Sequence, residues 1–379
     1  MVLAFRALQF VGLTHEIQWG YDFSAYWAAA GRLLDGLSPY QAEQLSGLYP
    51  PQQQFLYLYP PPLAAVVAPL ALLFPDDYRA AAWFWTSIGA VLLVASTLAL
   101  WRSELLGERF PILAGRGRWL LVAGALAFPP VVGELVLGNV HLLLLGLLTV
   151  AWLGVRRDGS RGEWIAGIAV GAAAVIKVFP AILIVWFLVT RRSRAVLGAV
   201  VGAAAIELVT LPITGLEPWV QYPTVLANLG PPVDLRDTLA PTVWLATELG
   251  FTVARIFVTV LGLAILEWTE MRAPRSGDRD RADYTARSFA IAVTVSVLIA
   301  PALYHHYLAL LVLPLILGLS AGVSLRWLGA AYLLMWGGEQ SALGDLSWII
   351  NRLLPTAGAL LLLVGLISSR GRAPAGARR

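Results

Sequence analysis

The chain has 379 residues, 58% of them hydrophobic and 13% charged, with a mean hydropathy of +0.72 and a net charge of +4. A soluble domain carries about 25% charged residues, so this supply excludes a water-covered particle of the same size. The 27 basic residues sit in short clusters between apolar runs rather than on one stripe, which excludes a nucleic-acid binder, and the absence of Cys excludes a disulfide framework and a thiolate metal site.

What these limits leave is an all-α polytopic membrane protein, read as one integral domain over 1–379. Residues 1–13 are apolar but shorter than the ~20 residues that span a bilayer. No small-residue cleavage site follows before Asp22, so the segment reads as a truncated first helix or a late start, not a signal peptide. Residues 14–79 form a long loop rich in Pro, Tyr and Trp. Within it, DFSAYWAAAGRLLDG from Asp22 has apolar i, i+3, i+4 spacing and predicts an amphipathic helix lying on the membrane. The stretch 60–75 is short and broken by Pro, and is read as a second juxtamembrane helix.

Apolar runs then fall at 80–101, 119–136, 140–155, 164–177, 179–190, 195–213, 251–268, 288–303, 306–321, 327–338 and 348–368. That gives eleven transmembrane helices, or twelve with one more at the N-terminus. Placing 102–118 inside and alternating strictly puts 20 of the 27 basic residues on the cytoplasmic side. Residues 14–79 and 214–250 become the large extracytoplasmic loops, 80–368 the transmembrane bundle, and 369–379 a cytoplasmic tail.

Ionisable residues at membrane depth are functional candidates, because each is costly unless paired or hydrated. On this topology Asp22, Glu134, Asn139, His141, Lys177, Glu207, Arg255, His305 and His306 all meet the outer face, from separate parts of the chain. Asp22 reads either as a proton acceptor for an attacking hydroxyl or as a helix N-cap. His305 and His306 project about 100° apart on a helix and cannot clamp one metal together. One of them suits a phosphate or sugar hydroxyl, and an interfacial hydrogen bond is the plain alternative. Lys177, the chain's single lysine, suits a phosphate or diphosphate lipid head group, or else snorkels to the interface. Asn139 and His141 sit at an outer turn, where Asn is common for conformational reasons alone. Glu134 and Glu207 are either buried and protonated or paired with Arg255 or Arg236. Tyr21, Tyr26, Trp27, Tyr40, Tyr57 and Tyr59 either stack on sugar rings or form the interfacial aromatic belt, and the belt is the expected fate of most. No Walker A motif, no GxGxxG after a strand and no carboxylate cluster of metal-binding spacing is present, so neither a cofactor nor a metal is expected.

Five stretches carry a family resemblance: DFSAYWAAAGRLLDGLSPY (22–40), FLYLYPPPLAAVVAPLALLF (55–74), LGNVHLLLLGLL (137–148), AGIAVGAAAVIKVFPAILI (166–184) and APALYHHYLALLVLP (300–314). In order and spacing they resemble the GT-C superfamily of polytopic glycosyltransferases. Within it the chain is similar to glycosyltransferase family 87, the PimE-like polyprenyl-phosphate-dependent mannosyltransferases, over about residues 20–320. Three features depart from that pattern. The helix before the Asp is short, the Trp-Asp-His-His motif reads Leu303-Tyr304-His305-His306, and the Gly-Gln-X-Asn turn reads Gly138-Asn139-Val140-His141.

The resemblance implies an inverting transfer in a single displacement, with Asp22 as general base. The donor it implies is a polyprenyl-phosphate sugar, mannose first and arabinofuranose as the alternative. The acceptor is a lipid-linked or cell-envelope glycan, and the site lies on the extracytoplasmic face of the cell membrane. His305, His306, Lys177 and Arg255 are then expected to hold the donor phosphate, and Tyr26, Tyr59, Asn139, His141 and Glu134 to line the substrate site. The partners are the two lipid-borne substrates and membrane lipids, with no nucleic acid. A transporter or flippase of a lipid-linked substrate is the competing reading, and a scaffolding subunit with a decayed site the third. A transporter predicts inverted repeats and midplane breaks, whereas the polar residues here gather at one face.

Overall fold

The computed structural model describes residues 1–16, 19–49, 55–157, 159–230, 238–273, 278–337 and 349–369. Arg236, Arg275 and the four tail arginines lie outside the described residues. Among the described residues every regular element is helical, and Tyr49 and Leu229 form an isolated parallel bridge.

α1 (Val2–Leu13), α2 (Tyr21–Leu34), α3 (Ala42–Ser46) and α4 (Pro61–Leu73) precede the first long span. α5 (Tyr78–Ser103), α6 (Leu106–Arg109), α7 (Arg118–Ala127), α8 (Pro129–Leu137), α9 (His141–Val155), α10 (Ser160–Ile176), α11 (Ile182–Val189) and α12 (Ser193–Thr214) follow. Then come α13 (Glu217–Asn228), α14 (Pro241–Leu249), α15 (Phe251–Met271), α16 (Asp278–Leu298), α17 (Val312–Ser320), α18 (Leu325–Leu334) and α19 (Leu354–Ser368), with a 3₁₀ helix His305–Leu311 ahead of α17.

Among the described residues four helices are long and apolar enough to cross a membrane: Tyr78–Ser103, Ser193–Thr214, Phe251–Met271 and Asn351–Ser368. A fifth is added if Gly115–Ala127 and Pro129–Leu137 form one broken span. The sequence reads that pair as a single run, 119–136. The break has a local cause: a residue before proline is pushed out of the helical region, and Phe128 sits at φ −71°, ψ 116° ahead of Pro129. Shorter apolar helices occupy Val2–Leu13, Pro61–Leu73, His141–Val155, Phe179–Val189 and His305–Ser320. α15 displays the membrane logic plainly. It buries Ala254, Val258, Gly262, Leu266 and Thr269 and exposes Val253, Ile256, Phe257, Val260 and Leu261. A helix with apolar side chains on both its inner and its outer face is adapted to lipid rather than water.

The chain divides into two compact units, interleaved in sequence. The first holds residues 1–93, 132–181 and 194–237. In it α2 packs on α4, and α9, α10 and α12 pack through small residues. A Cβ on Gly154 would lie 2.7 Å from the Ala166 nitrogen, and Cβ atoms on Gly167 and Gly171 would run into the carbonyls of Ala195 and Ala199. Backbones this close are what membrane helices use where burial of apolar surface supplies no drive.

α4 is more deeply buried than an interfacial helix should be, with nine of its thirteen residues buried. Prolines suit a helix start because their missing N–H is not needed there, and here the Tyr57 hydroxyl completes the cap by donating to the Pro60 carbonyl at 2.5 Å and accepting from the Ala64 N–H at 3.0 Å. The expected aromatic belt is corrected at the same place. Tyr26, Tyr40 and Tyr57 are at most 1% exposed and pack against one another and Tyr59. The Tyr40 hydroxyl donates to the Tyr59 carbonyl at 2.9 Å, so the phenols of Tyr40 and Tyr57 find buried partners instead of the head-group layer.

The second unit holds residues 94–131, 182–193 and 238–379. α16 is its centre and packs on α11, α15, α17 and α19. Trp186 donates its indole N–H to Ser288 at 2.7 Å, and Arg109 pairs with Asp283 at 3.1 Å and donates to the Ser320 carbonyl. α16 ends at Leu298, short of the expected 303, because Pro301 cannot continue it.

Candidate active site

Two glycines bring the candidate residues of the first unit together. Gly20 caps α2 at φ +65° and donates its N–H to the Val136 carbonyl at 2.7 Å. Gly138 turns between α8 and α9 at φ +67°, and a Cβ on it would press on Phe23 at 2.8 Å. Positive φ is cheap only for glycine, and both positions need it where the backbones close in. The Tyr78 hydroxyl ties down the first turn by donating to the Trp19 and Gly20 carbonyls. Asp22 is therefore not the N-cap, a role Gly20 takes. It lies in the first turn of α2, where the helix dipole favours a negative charge.

This geometry sets Asp22 opposite Asn139. The Asn139 side-chain N–H donates to Asp22 Oδ2 at 2.8 Å. Its Oδ1 accepts from the Val140 N–H at 2.7 Å, from the Tyr59 hydroxyl at 3.3 Å and from Lys177 Nζ at 3.5 Å. Those acceptances fix the amide's orientation, since only an oxygen takes the Val140 N–H. Lys177 follows the end of α10, with backbone φ −151°, ψ 131°. Its ammonium lies 3.0 Å from His141 Nε2, 3.3 Å from the Tyr59 hydroxyl and 5.0 Å from the Tyr59 ring centroid. Glu134 accepts from the His141 backbone N–H at 2.6 Å and lies 2.8 Å from His141 Nδ1. Of the two readings left open for Glu134, burial or pairing with Arg255 or Arg236, the structure shows burial, with His141 as its partner. Tyr26 meets the Tyr59 ring edge-on at 4.9 Å.

Burial raises the pKa of Asp22, while the Asn139 hydrogen bond and the Lys177 charge work against that rise. Burial and the nearby Asp22 also push the phenols of Tyr26 and Tyr59 up, so both stay protonated as donors. Beside this polar group lies an apolar cavity of about 300 Å³, with Trp85, Leu70, Leu142 and Leu143 in its wall and Glu134 and Asn139 at its edge. The arrangement presents a held carboxylate, a held cation and room for hydrocarbon within one unit.

Of the residues expected at the site, Asp22, Tyr26, Tyr59, Glu134, Asn139, His141 and Lys177 are gathered in this unit. Glu207 is also in it, partly exposed on α12. His305, His306 and Arg255 belong to the second unit. There His305 Nε2 lies 3.0 Å from the Met335 carbonyl, His306 is stacked on Tyr304 with centroids 6.0 Å apart, and Arg255 is exposed on α15. The sequence reading missed three things: Gly20 as the cap, Tyr78 as the clamp, and the direct Asn139–Asp22 bond. The available signal was the pair of glycines, Gly20 two residues before the acid and Gly138 one before the amide.

The model of one protein family, glycosyltransferase family 87, matches residues 57–301. Tyr59, Glu134, Asn139, His141, Lys177 and Arg255 fall inside the match, and Asp22, Tyr26, His305 and His306 outside it. No curated protein and no solved structure matches the chain. The match covers well over half of a chain whose regular elements are helical among the described residues, several of them long and apolar enough to cross a membrane. The chain belongs to glycosyltransferase family 87, as a multi-pass membrane glycosyltransferase.

Proposed function

We propose that the protein transfers a sugar, mannose in the first instance, from a polyprenyl-phosphate donor to a lipid-linked or cell-envelope glycan, with inversion and with Asp22 as the general base. The fold is then of the GT-C type and the site faces the extracytoplasmic side. One observation carries this reading: a half-buried carboxylate at a helix start, held by Asn139 and facing Lys177, beside an apolar cavity. Asp22 takes the proton of the acceptor hydroxyl as its oxygen attacks the anomeric carbon. The bond from that carbon to the phosphate oxygen breaks, and its electron pair leaves on the polyprenyl phosphate. Lys177 offers the positive charge that the departing phosphate needs as its own charge grows. Tyr59 remains protonated beside the base and, being partly exposed, can donate to a sugar oxygen in place of Asn139 Oδ1, while the buried Tyr26 packs edge-on against its ring. His305, His306 and Arg255 are the further residues the reading assigns to donor phosphate. The proton transfer and displacement above need only residues of the first unit.

Asp22→Asn tests the base. The new amide keeps an oxygen for the Asn139 N–H and removes a charge that burial disfavours, so the fold is expected to survive with a melting temperature no lower than that of the parent. Sugar transfer from polyprenyl-phosphate mannose to membrane acceptors is expected to drop by on the order of 10²–10⁴-fold, the usual contribution of a general base. Undiminished transfer by the folded variant removes Asp22 from the mechanism.

A further inference from the structure

Glu134 and His141 were expected to line the substrate site, but they are 1% and 0% exposed. Buried this far, they do their work through another group. Glu134 accepts from the His141 backbone N–H with one carboxylate oxygen and meets Nδ1 with the other. A carboxylate against Nδ1 makes that nitrogen the protonated one and leaves Nε2 with its lone pair. Nε2 is the atom 3.0 Å from the Lys177 ammonium. The same ammonium is 3.3 Å from the Tyr59 hydroxyl and sits over the Tyr59 ring, while the ring of His141 stacks on Phe179 with centroids 6.1 Å apart. A lysine is a point charge on a flexible stem. Here the charge is fixed before any ligand arrives, by partners on α9 and in the loop before α4.

We propose that Glu134 and His141 are positioning residues for Lys177: the carboxylate sets the imidazole tautomer, and imidazole Nε2 holds the ammonium where it receives a lipid phosphate beside Asp22. This deepens the reading of the site as a sugar transferase and rests on it for the identity of the phosphate. The line from Glu134 through His141 to Lys177 resembles the carboxylate–histidine pairs that orient a ligand by fixing which ring nitrogen is free. Here the oriented group is a cation.

Glu134→Gln separates this from plain packing. The amide is isosteric and still accepts the His141 backbone N–H through its oxygen. Its NH₂ then faces Nδ1, the imidazole proton moves to Nε2, and an N–H is aimed at the ammonium. The probe is bare undecaprenyl phosphate titrated into the full-length protein in lipid nanodiscs and read by tryptophan fluorescence, with undecaprenol as the uncharged control. Glu134→Gln and Lys177→Met are each expected to weaken binding of the phosphate about tenfold and leave the alcohol unaffected. The double variant is expected to bind no worse than Lys177→Met alone, because residues acting through one another are not additive. Additive losses, or undiminished binding by Glu134→Gln, would overturn the proposal.

If Glu134→Gln fails to fold, His141 supplies the second test. His141→Gln places an amide oxygen near the lost Nε2, and His141→Asn keeps only the Glu134 side of the contact. The Gln variant is expected to retain more phosphate binding than the Asn variant, and the reverse order or equality sinks the idea. Should Asp22→Asn stay active while the Glu134–Lys177 cycle is non-additive, the base assignment fails alone; should the cycle be additive while Asp22→Asn is dead, the positioning role fails alone.

Discussion

Asp22 must be ionised to take a proton, and its surroundings pull that ionisation in opposite directions. Burial holds the proton on, while the Asn139 N–H and the Lys177 charge help release it. The same carboxylate is faced by Glu134 and by the phenols of Tyr26, Tyr59 and Tyr78. Asn139→Leu removes the hydrogen bond and keeps the charge. The folded-state pKa of Asp22 then rises further, so the acid limb of the kcat/KM profile is expected to move to higher pH. Below the limb the loss should be about tenfold or more, the worth of a hydrogen bond to a charged group, and activity should recover as pH rises. A loss that is equal at every pH would mean that Asn139 serves the fold and not the base. The sign for stability is the opposite of the usual salt-bridged acid. Because burial raises the pKa, ionising Asp22 costs folding free energy as pH climbs from the ordinary carboxylate range to the raised value. Function here holds a charge in a place where stability alone would not put it.

At the scale of elements the sharpest constraint is the approach of α10 to α12. A Cβ on Gly171 would run into the Ala199 carbonyl, and one on Gly202 would lie 2.5 Å from the Ile168 carbonyl. Both obstacles are backbone, which cannot swing aside. Gly171→Leu is expected to separate the helices and lower the melting temperature clearly, by the order of 1–3 kcal/mol that overpacking costs. Gly329→Ala, with open space at its Cβ, is the control and should leave it unchanged. An undisturbed Gly171→Leu protein would mean that the two helices do not touch along that face. Such apolar elements were largely legible in the sequence, because an apolar run of sufficient length has few other fates. Their ends and breaks were less so. The run 119–136 hid the break at Phe128, since hydropathy does not register a missing N–H. The fate of the tyrosines was not legible either: belt and buried cluster use the same residues, and only the partners of each hydroxyl, such as the Pro60 carbonyl for Tyr57, tell them apart. Within the site, Asn139 and Lys177 were visible as polar residues at ends of apolar runs, and Asp22 as an acid at the start of an amphipathic helix. Their mutual contact was not, because it depends on two left-handed glycines more than a hundred residues apart.

The whole molecule needs a direction in the membrane, and contacts within each unit agree with the grouping of loops that the arginines suggest. In the first unit the two loops read as extracytoplasmic meet. Asn228 donates to the Gln44 carbonyl at 2.9 Å, the Tyr49 hydroxyl donates to the Val225 carbonyl at 2.6 Å, and Ser38 donates to Gln221 at 2.5 Å. In the second unit, Arg109, Asp283 and the Ser320 carbonyl join three segments read as cytoplasmic. Loops on opposite faces of a bilayer core about 30 Å thick cannot touch in this way, so each set belongs to one side. Which side is which is the part we propose from the charge bias, since Lys and Arg favour the cytoplasmic loops. The absence of Cys makes this testable with single introduced thiols. Glu43, Glu217 and Arg194 are exposed. Glu43→Cys and Glu217→Cys are expected to react with a membrane-impermeant maleimide in intact cells, and Arg194→Cys only after permeabilisation. Labelling of all three pairings reversed would invert the molecule and place Asp22 on the cytoplasmic side. The donor would then have to be available there, and the expectation of an extracytoplasmic glycan as acceptor would be lost. Labelling of Glu43→Cys and Glu217→Cys from opposite sides is the stronger result. It would break the contact between the two loops, and with it the placement of α2 that holds Asp22 against Asn139.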